Sequence, residues 1–176
     1  MHSIALDSQT YSYLINAWVP DGPEESDPLR AEKLALVHTY FYYPQTFNIP
    51  PSVMEECRQI RDAAIRSAHE DSVLVAELVR YNHSRLNRLA KHYEQFHSGE
   101  RNRVDCQIVA EAESCDCDVL LTFDSVLTNR LSGKTESIQL WAPSEFWADL
   151  SIPHGAKPHL IPHSTNPLAT KTWWMW

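Results

Sequence analysis

The sequence predicts an α/β domain with a mostly parallel central sheet and helices on both of its faces. Short apolar runs at 3–6, 46–49, 119–123 and 137–141 are separated by helix-length stretches rather than tight turns, so their connections are crossovers. Two of these runs are closed by an aspartate, Asp7 and Asp124, which places both at one edge of a parallel sheet, the edge where open α/β folds hold ligands. With 176 residues, 43% of them hydrophobic, the chain can bury one substantial core.

Each element follows from its pattern. After the strand ending at Leu6, the spacing of Tyr11, Leu14, Ile15 and Trp18 predicts a helix that starts near Ser8 and ends near Pro20. The Asp- and Pro-rich stretch 20–28 is a loop, and a second helix spans about 29–42 until Pro44 stops it. A short strand at 46–49 meets Pro50-Pro51-Ser52, which ends it and starts a third helix over about 52–68. Two more helical stretches are expected at about 72–80 and 84–97, broken at Ser98-Gly99, then a helix at about 102–114. The strand 119–123, a short helix to about Leu131, the strand 137–141 and a helix opened by Pro143 complete the domain over residues 1–152. Residues 153–176 carry four prolines and the ending Trp173-Trp174-Met175-Trp176, and are expected to form an irregular tail.

Charge and composition exclude several classes. A formal net charge of -8 argues against general adhesion to nucleic acid or an anionic membrane while leaving room for a local basic groove. The sequence has no run long enough for a membrane span and no leader pattern, so a soluble, cytoplasmic protein is expected. Cys57, Cys106, Cys115 and Cys117 lack two spaced ligand pairs and are expected to be reduced thiols rather than a zinc site. Four glycines are too few for a phosphate cradle or dinucleotide fingerprint, and no nucleophile elbow accompanies the nine histidines.

Helical geometry selects two further acids. At about 100° per residue, Glu56 falls at the margin of the apolar face Val53, Cys57, Ile60 and Ala64, while Glu55 points to water. Asp105 shares a face with Ile108, Val109 and Ala112, with Glu111 roughly opposite. An inward carboxylate costs several kcal/mol unless a cation or hydrogen bonds compensate it. Each acid also has a purely local use: Asp7, Asp105 and Asp124 can serve helix starts, and Glu56 can be a solvated helix residue.

The stretch from Asp105 to Ala112, followed by Asp118-Val-Leu-Leu-Thr-Phe-Asp124, resembles the C-terminal half of PIN-domain proteins. Ile4-Ala5-Leu6-Asp7-Ser8 is similar to that family's first strand, Pro51 to Glu56 to its Glu-bearing helix, and Ile138 to Phe146 to its late strand and Pro-started helix. The resemblance implies a three-layer α/β/α sandwich and a Mg²⁺- or Mn²⁺-dependent endoribonuclease like the VapC-type toxins of toxin–antitoxin pairs. It further implies that Asp7, Glu56, Asp105 and Asp124 are the metal and catalytic residues. Haloacid-dehalogenase-like phosphatases do not fit, because Gln9 stands where their second aspartate belongs.

Ser8 and Thr122, adjacent to ligand acids, are auxiliary hydroxyls. RNA binding falls to Arg80, Arg85, Arg88, Lys91, Arg101 and Arg103, six cations against Glu94 and Glu100 in a segment that leads into Asp105. Expected partners are RNA, an antitoxin protein and a second copy of the chain. The alternative is a PIN-like binding or regulatory module with weak or absent hydrolysis.

Overall fold

The computed structural model describes residues 2–17, 21–72, 74–78, 82–99 and 102–176. Five short parallel strands form the sheet in the order β3-β2-β1-β4-β5: β1 (Ile4–Leu6), β2 (Phe47–Ile49), β3 (Val75–Glu77), β4 (Val119–Leu121) and β5 (Gln139–Trp141). The central strands β1 and β4 are fully buried, as their unbroken apolar runs require of strands covered on both faces. Their register pairs Ile4 with Val119 and Leu6 with Leu121, so the residues that follow, Asp7 and Thr122, leave the sheet side by side.

Among the described residues eight α-helices cover the sheet: α1 (Ser8–Asn16), α2 (Arg30–Tyr42), α3 (Pro51–Arg58), α4 (Ala63–Glu70), α5 (His83–Tyr93), α6 (Asn102–Ser114), α7 (Ser125–Leu131) and α8 (Pro143–Asp149). Contacts join α1 to α2 and α4, and α2 to α8, while α5 packs along α6. With the right-handed crossovers usual for parallel strands, these groups form the two outer layers of a three-layer sandwich. No helix among the described residues is long and apolar enough to cross a membrane.

Four expectations need correction. The helix expected at about 72–80 is the edge strand β3, since pairing with β2 outweighs a weak helical pattern in a segment rich in β-branched valine. The helix expected over about 52–68 is two: α3 ends at Arg58, and Asp62 caps a fresh start by accepting from the N–H groups of Ala64 and Ile65. The first helix ends at Asn16, with Trp18, Val19 and Pro20 outside the described residues. Glu111 does not face water; it is buried at the α3–α6 contact, accepting from the backbone N–H (2.9 Å) and hydroxyl (2.8 Å) of Ser52.

The tail is irregular apart from one 3-10 turn at Pro167–Thr170. It lies against α2: the N–H groups of His159 and Leu160 both donate to the Phe41 carbonyl, and the Trp174 ring sits 4.4 Å from that of Phe41. Leu168 and Trp174 are buried with Ala35, Phe41, Tyr42 and Trp147 in a second small core. Gly22 meets this region with φ +68, and a Cβ there would stand 2.7 Å from the Trp173 ring, so this turn requires glycine.

Candidate functional site

The carboxyl ends of β1 and β4 supply the first part of the site. Asp7 caps α1, accepting from Thr10 N–H at 2.7 Å, and Asp124 caps α7, accepting from Val126 and Leu127 at 2.8 and 3.0 Å. The local capping use and the shared placement at the sheet edge are therefore both realised. Thr122 sits beside both acids: its hydroxyl accepts the Asp124 N–H at 2.9 Å and helps hold the Asp7 carboxyl down against the effect of burial. Ser8, the first residue of α1, donates its hydroxyl to Glu56 on α3, while Glu55 points away and pairs with Arg58 at 3.0 Å.

Asp105, in the first turn of α6, does not point inward as its helix face predicts: its side chain is 38% exposed, and its Oδ2 lies 3.6 Å from Nε2 of the buried His97. His97 is 4% exposed and its Nε2 has no hydrogen-bond partner among the described residues. Sequence reasoning missed this histidine; the signal available was a lone His eight residues before Asp105.

Electrostatics relate the four acids. Burial pushes the Asp7 carboxyl above its ordinary range, opposed by the bonds from Thr122 and Thr10 and reinforced by the charge of Asp105. Burial likewise raises Asp105; His97 opposes the shift, and the negative charges of Asp124 and Glu56 add to it. Each of these carboxylates thus either feels or contributes to a shared negative potential. Among the described residues, however, no three His, Cys, Asp or Glu side chains are drawn together tightly enough to hold an ion. The donor chemistry fits a hard divalent cation, since every candidate is an oxygen ligand, and the surplus of negative charge is what such an ion relieves.

The basic segment divides. Arg85 pairs with Asp116 at 2.6 Å and Arg88 with Glu136 at 2.9 Å, both of which precede strands. These two arginines are therefore at the amino edge of the sheet, opposite Asp7 and Asp124, and do not lead toward Asp105. Arg103 pairs with Glu94 at 3.1 Å close to Asp105, Lys91 is exposed on α5, and Arg80 and Arg101 lie outside the described residues. None of the four cysteines is joined in a disulfide.

The strand order and the helices on both faces make this a three-layer α/β/α sandwich, with two acids side by side at the carboxyl rim of its sheet. No protein-family model matches the sequence, and no curated protein matches it. A solved structure does match in fold: the crystal structure of FitAcB from Neisseria gonorrhoeae superposes with a TM-score of 0.50, covering 80% of this chain and 97% of that one at 14% identity. At that identity the likeness is one of architecture.

Proposed function

We propose that this chain is a Mg²⁺- or Mn²⁺-dependent endoribonuclease acting on single-stranded or looped RNA, and that it works as the toxin of a toxin–antitoxin pair. The observation that carries the reading is geometric: Asp7 and Asp124 follow paired strands at one rim of the sheet, Glu56 meets Ser8 beside them, and Asp105 is close enough to feel the charge of Asp124 and Glu56. Carboxylates arranged at such mutual cost are explained by a cation that neutralises them.

Asp7, Asp105, Asp124 and Glu56 would hold the ion, directly or through water. When bound, it supplies a water of lowered pKa and charge stabilisation at the scissile phosphate. The protein's own groups prepare the site. Thr122, beside Asp7 in the strand register, accepts the Asp124 N–H, Ser8 donates to the Glu56 carboxylate, and His97 faces Asp105 from within the fold. Arg103 and Lys91 are the described cations of the segment leading to this rim, where a backbone phosphate would be received.

The test is cleavage of a mixed RNA pool across a Mg²⁺ and Mn²⁺ titration, comparing the wild type with Asp7→Asn and Asp105→Asn. Metal-dependent cleavage, lost in both variants while thermal melting is retained, is the expected result. Cleavage that ignores chelator or both substitutions would remove the reading. The second reading, a binding module, is favoured by the local engagement of Asp7 and Asp124 as helix caps; it predicts RNA or protein binding unaffected by either change. A toxin would also co-purify with a small protein made from the neighbouring gene, and a self-associating one would show twice the monomer mass in solution.

A further inference from the structure

Two buried imidazoles have an Nε2 with no hydrogen-bond partner among the described residues, and their surroundings differ. His38 is enclosed by the rings of Tyr42, Trp147 and Trp176. His97 instead turns its Nε2 toward a carboxylate of the acid rim, 3.6 Å from Oδ2 of Asp105. That separation is slightly longer than a hydrogen bond. Of the two neutral tautomers, the one with its proton on Nε2 is favoured there, because a ring lone pair facing a carboxylate is repelled.

The histidine is fixed and the aspartate is not. His97 lies in the turn that follows α5, where its N–H donates to the Tyr93 carbonyl at 3.0 Å. Its own carbonyl accepts from the thiol of Cys106, the fully buried neighbour of Asp105 on α6, at 3.6 Å. Since α5 packs along α6, donor and carboxylate ride on one unit. The imidazole is walled off from water, whereas the half-exposed Asp105 side chain stands at the surface, where a small rotation brings Oδ2 into bonding range. Such contacts are often long in an empty site and tighten when it fills.

We propose that His97 is a positioning residue of the cation site: its Nε2–H takes up Oδ2 of Asp105 and leaves Oδ1 for the ion. The inference rests on the nuclease reading above, in which Asp105 is a ligand. His97 touches neither the ion nor RNA and acts through Asp105 alone. A surface aspartate samples several rotamers, and an immobile donor that selects one of them lessens the ordering a cation has to impose.

The test is binding rather than turnover. Mn²⁺ uptake by the full chain is followed from the electron paramagnetic resonance signal of the free ion, and the His97 Nε2–H by nitrogen-edited NMR in EDTA and then in Mg²⁺. His97→Leu should weaken Mn²⁺ binding about tenfold or more, and His97→Gln, which keeps a donor at the same reach, should recover most of the loss. Adding His97→Leu to Asp105→Asn should cost no further affinity, since the histidine acts through that carboxylate. The Nε2–H signal should shift as Mg²⁺ saturates the site. A folded His97→Leu with wild-type affinity, or a glutamine variant as weak as the leucine one, would overturn the proposal. Should the leucine variant not fold, the wild-type signal decides: an Nε2 without a proton, or an Nε2–H that saturating Mg²⁺ leaves unmoved, overturns it equally. Binding lost in Asp7→Asn but kept in His97→Leu removes this proposal and leaves the nuclease reading standing; a wild type that takes up no cation removes both.

Discussion

Two sets of acids in this molecule meet burial in opposite ways. Glu113, with no exposed surface, is surrounded by protein donors: the Tyr93 hydroxyl, the Ser137 N–H, its hydroxyl at 3.0 Å and the Ile138 N–H at 3.2 Å. Glu111 is similarly held by Ser52 and by Gln107. Both fasten α6 to neighbouring segments, and nothing about them calls for an ion. Asp7 and the half-exposed Asp105 have their carboxyls pushed up by burial, and each also has acidic neighbours that add to the shift. The contrast shows that burial alone does not mark a functional acid; what sets Asp7 and Asp105 apart is the negative charge of the acids around them.

That contrast can be broken or sharpened by substitution. The largest effect should be on cleavage: Asp105→Asn is expected to reduce it on the order of 10²–10³-fold, the scale of losing one preorganised charge interaction, while the melting temperature in EDTA holds or rises. A drop in melting temperature comparable to that of a core lesion would place Asp105 with the structural acids. Glu113→Ala should act in the opposite sense, losing about 3–5 kcal/mol of unfolding free energy in urea titration, with residual activity following only the folded fraction.

The next effect is one of pH. Burial holds His38 down to about 4, against 6.5 for an ordinary imidazole. The unfolded chain therefore takes up a proton that the folded one refuses. Stability from this group is intact above pH 6.5 and declines as pH falls toward 4, by roughly 3 kcal/mol in all. Denaturation of wild type and His38→Phe at both ends of that window should show the variant less acid-sensitive; parallel losses would refute it. The smallest effect should come from Arg88→Gln, because its exposed pair with Glu136 contributes under about 1 kcal/mol and lies at the far edge from the acids. RNA affinity measured by filter binding should be nearly unchanged, whereas Arg103→Gln should weaken it.

Much of the fold was legible because its signals were local. The buried runs of β1 and β4, Pro51 and Pro143 at helix starts, and the Asp ending each central strand all express themselves within a few residues. β3 was not legible, since a three-residue edge strand exists through pairing with β2 rather than through its own pattern. The break between α3 and α4 at Asp62 was hidden by an apolar periodicity that runs through it. At the site, choosing Glu56 over Glu55 followed from helix geometry and agrees with where the two side chains point. Glu111 and His97 escaped because their surroundings come from distant segments: Ser52 in one case, and the approach of α6 to the end of α5 in the other. Arg85 and Arg88 looked like a path to Asp105 only because proximity in sequence was taken for proximity in space.

The strap formed by residues 159–176 has a consequence for how α2 comes apart. Its last turn has the Phe41 carbonyl engaged by two strap amides, and the Tyr42 hydroxyl accepts the Trp176 N–H at 2.8 Å. Fraying of that turn is therefore coupled to release of Trp174 from its burial against Phe41. Amide exchange at the end of α2 and the indole proton of Trp174 should open together as one cooperative unit. A protease that nicks the exposed Leu160–Ile161 stretch would then loosen a helix it never touches.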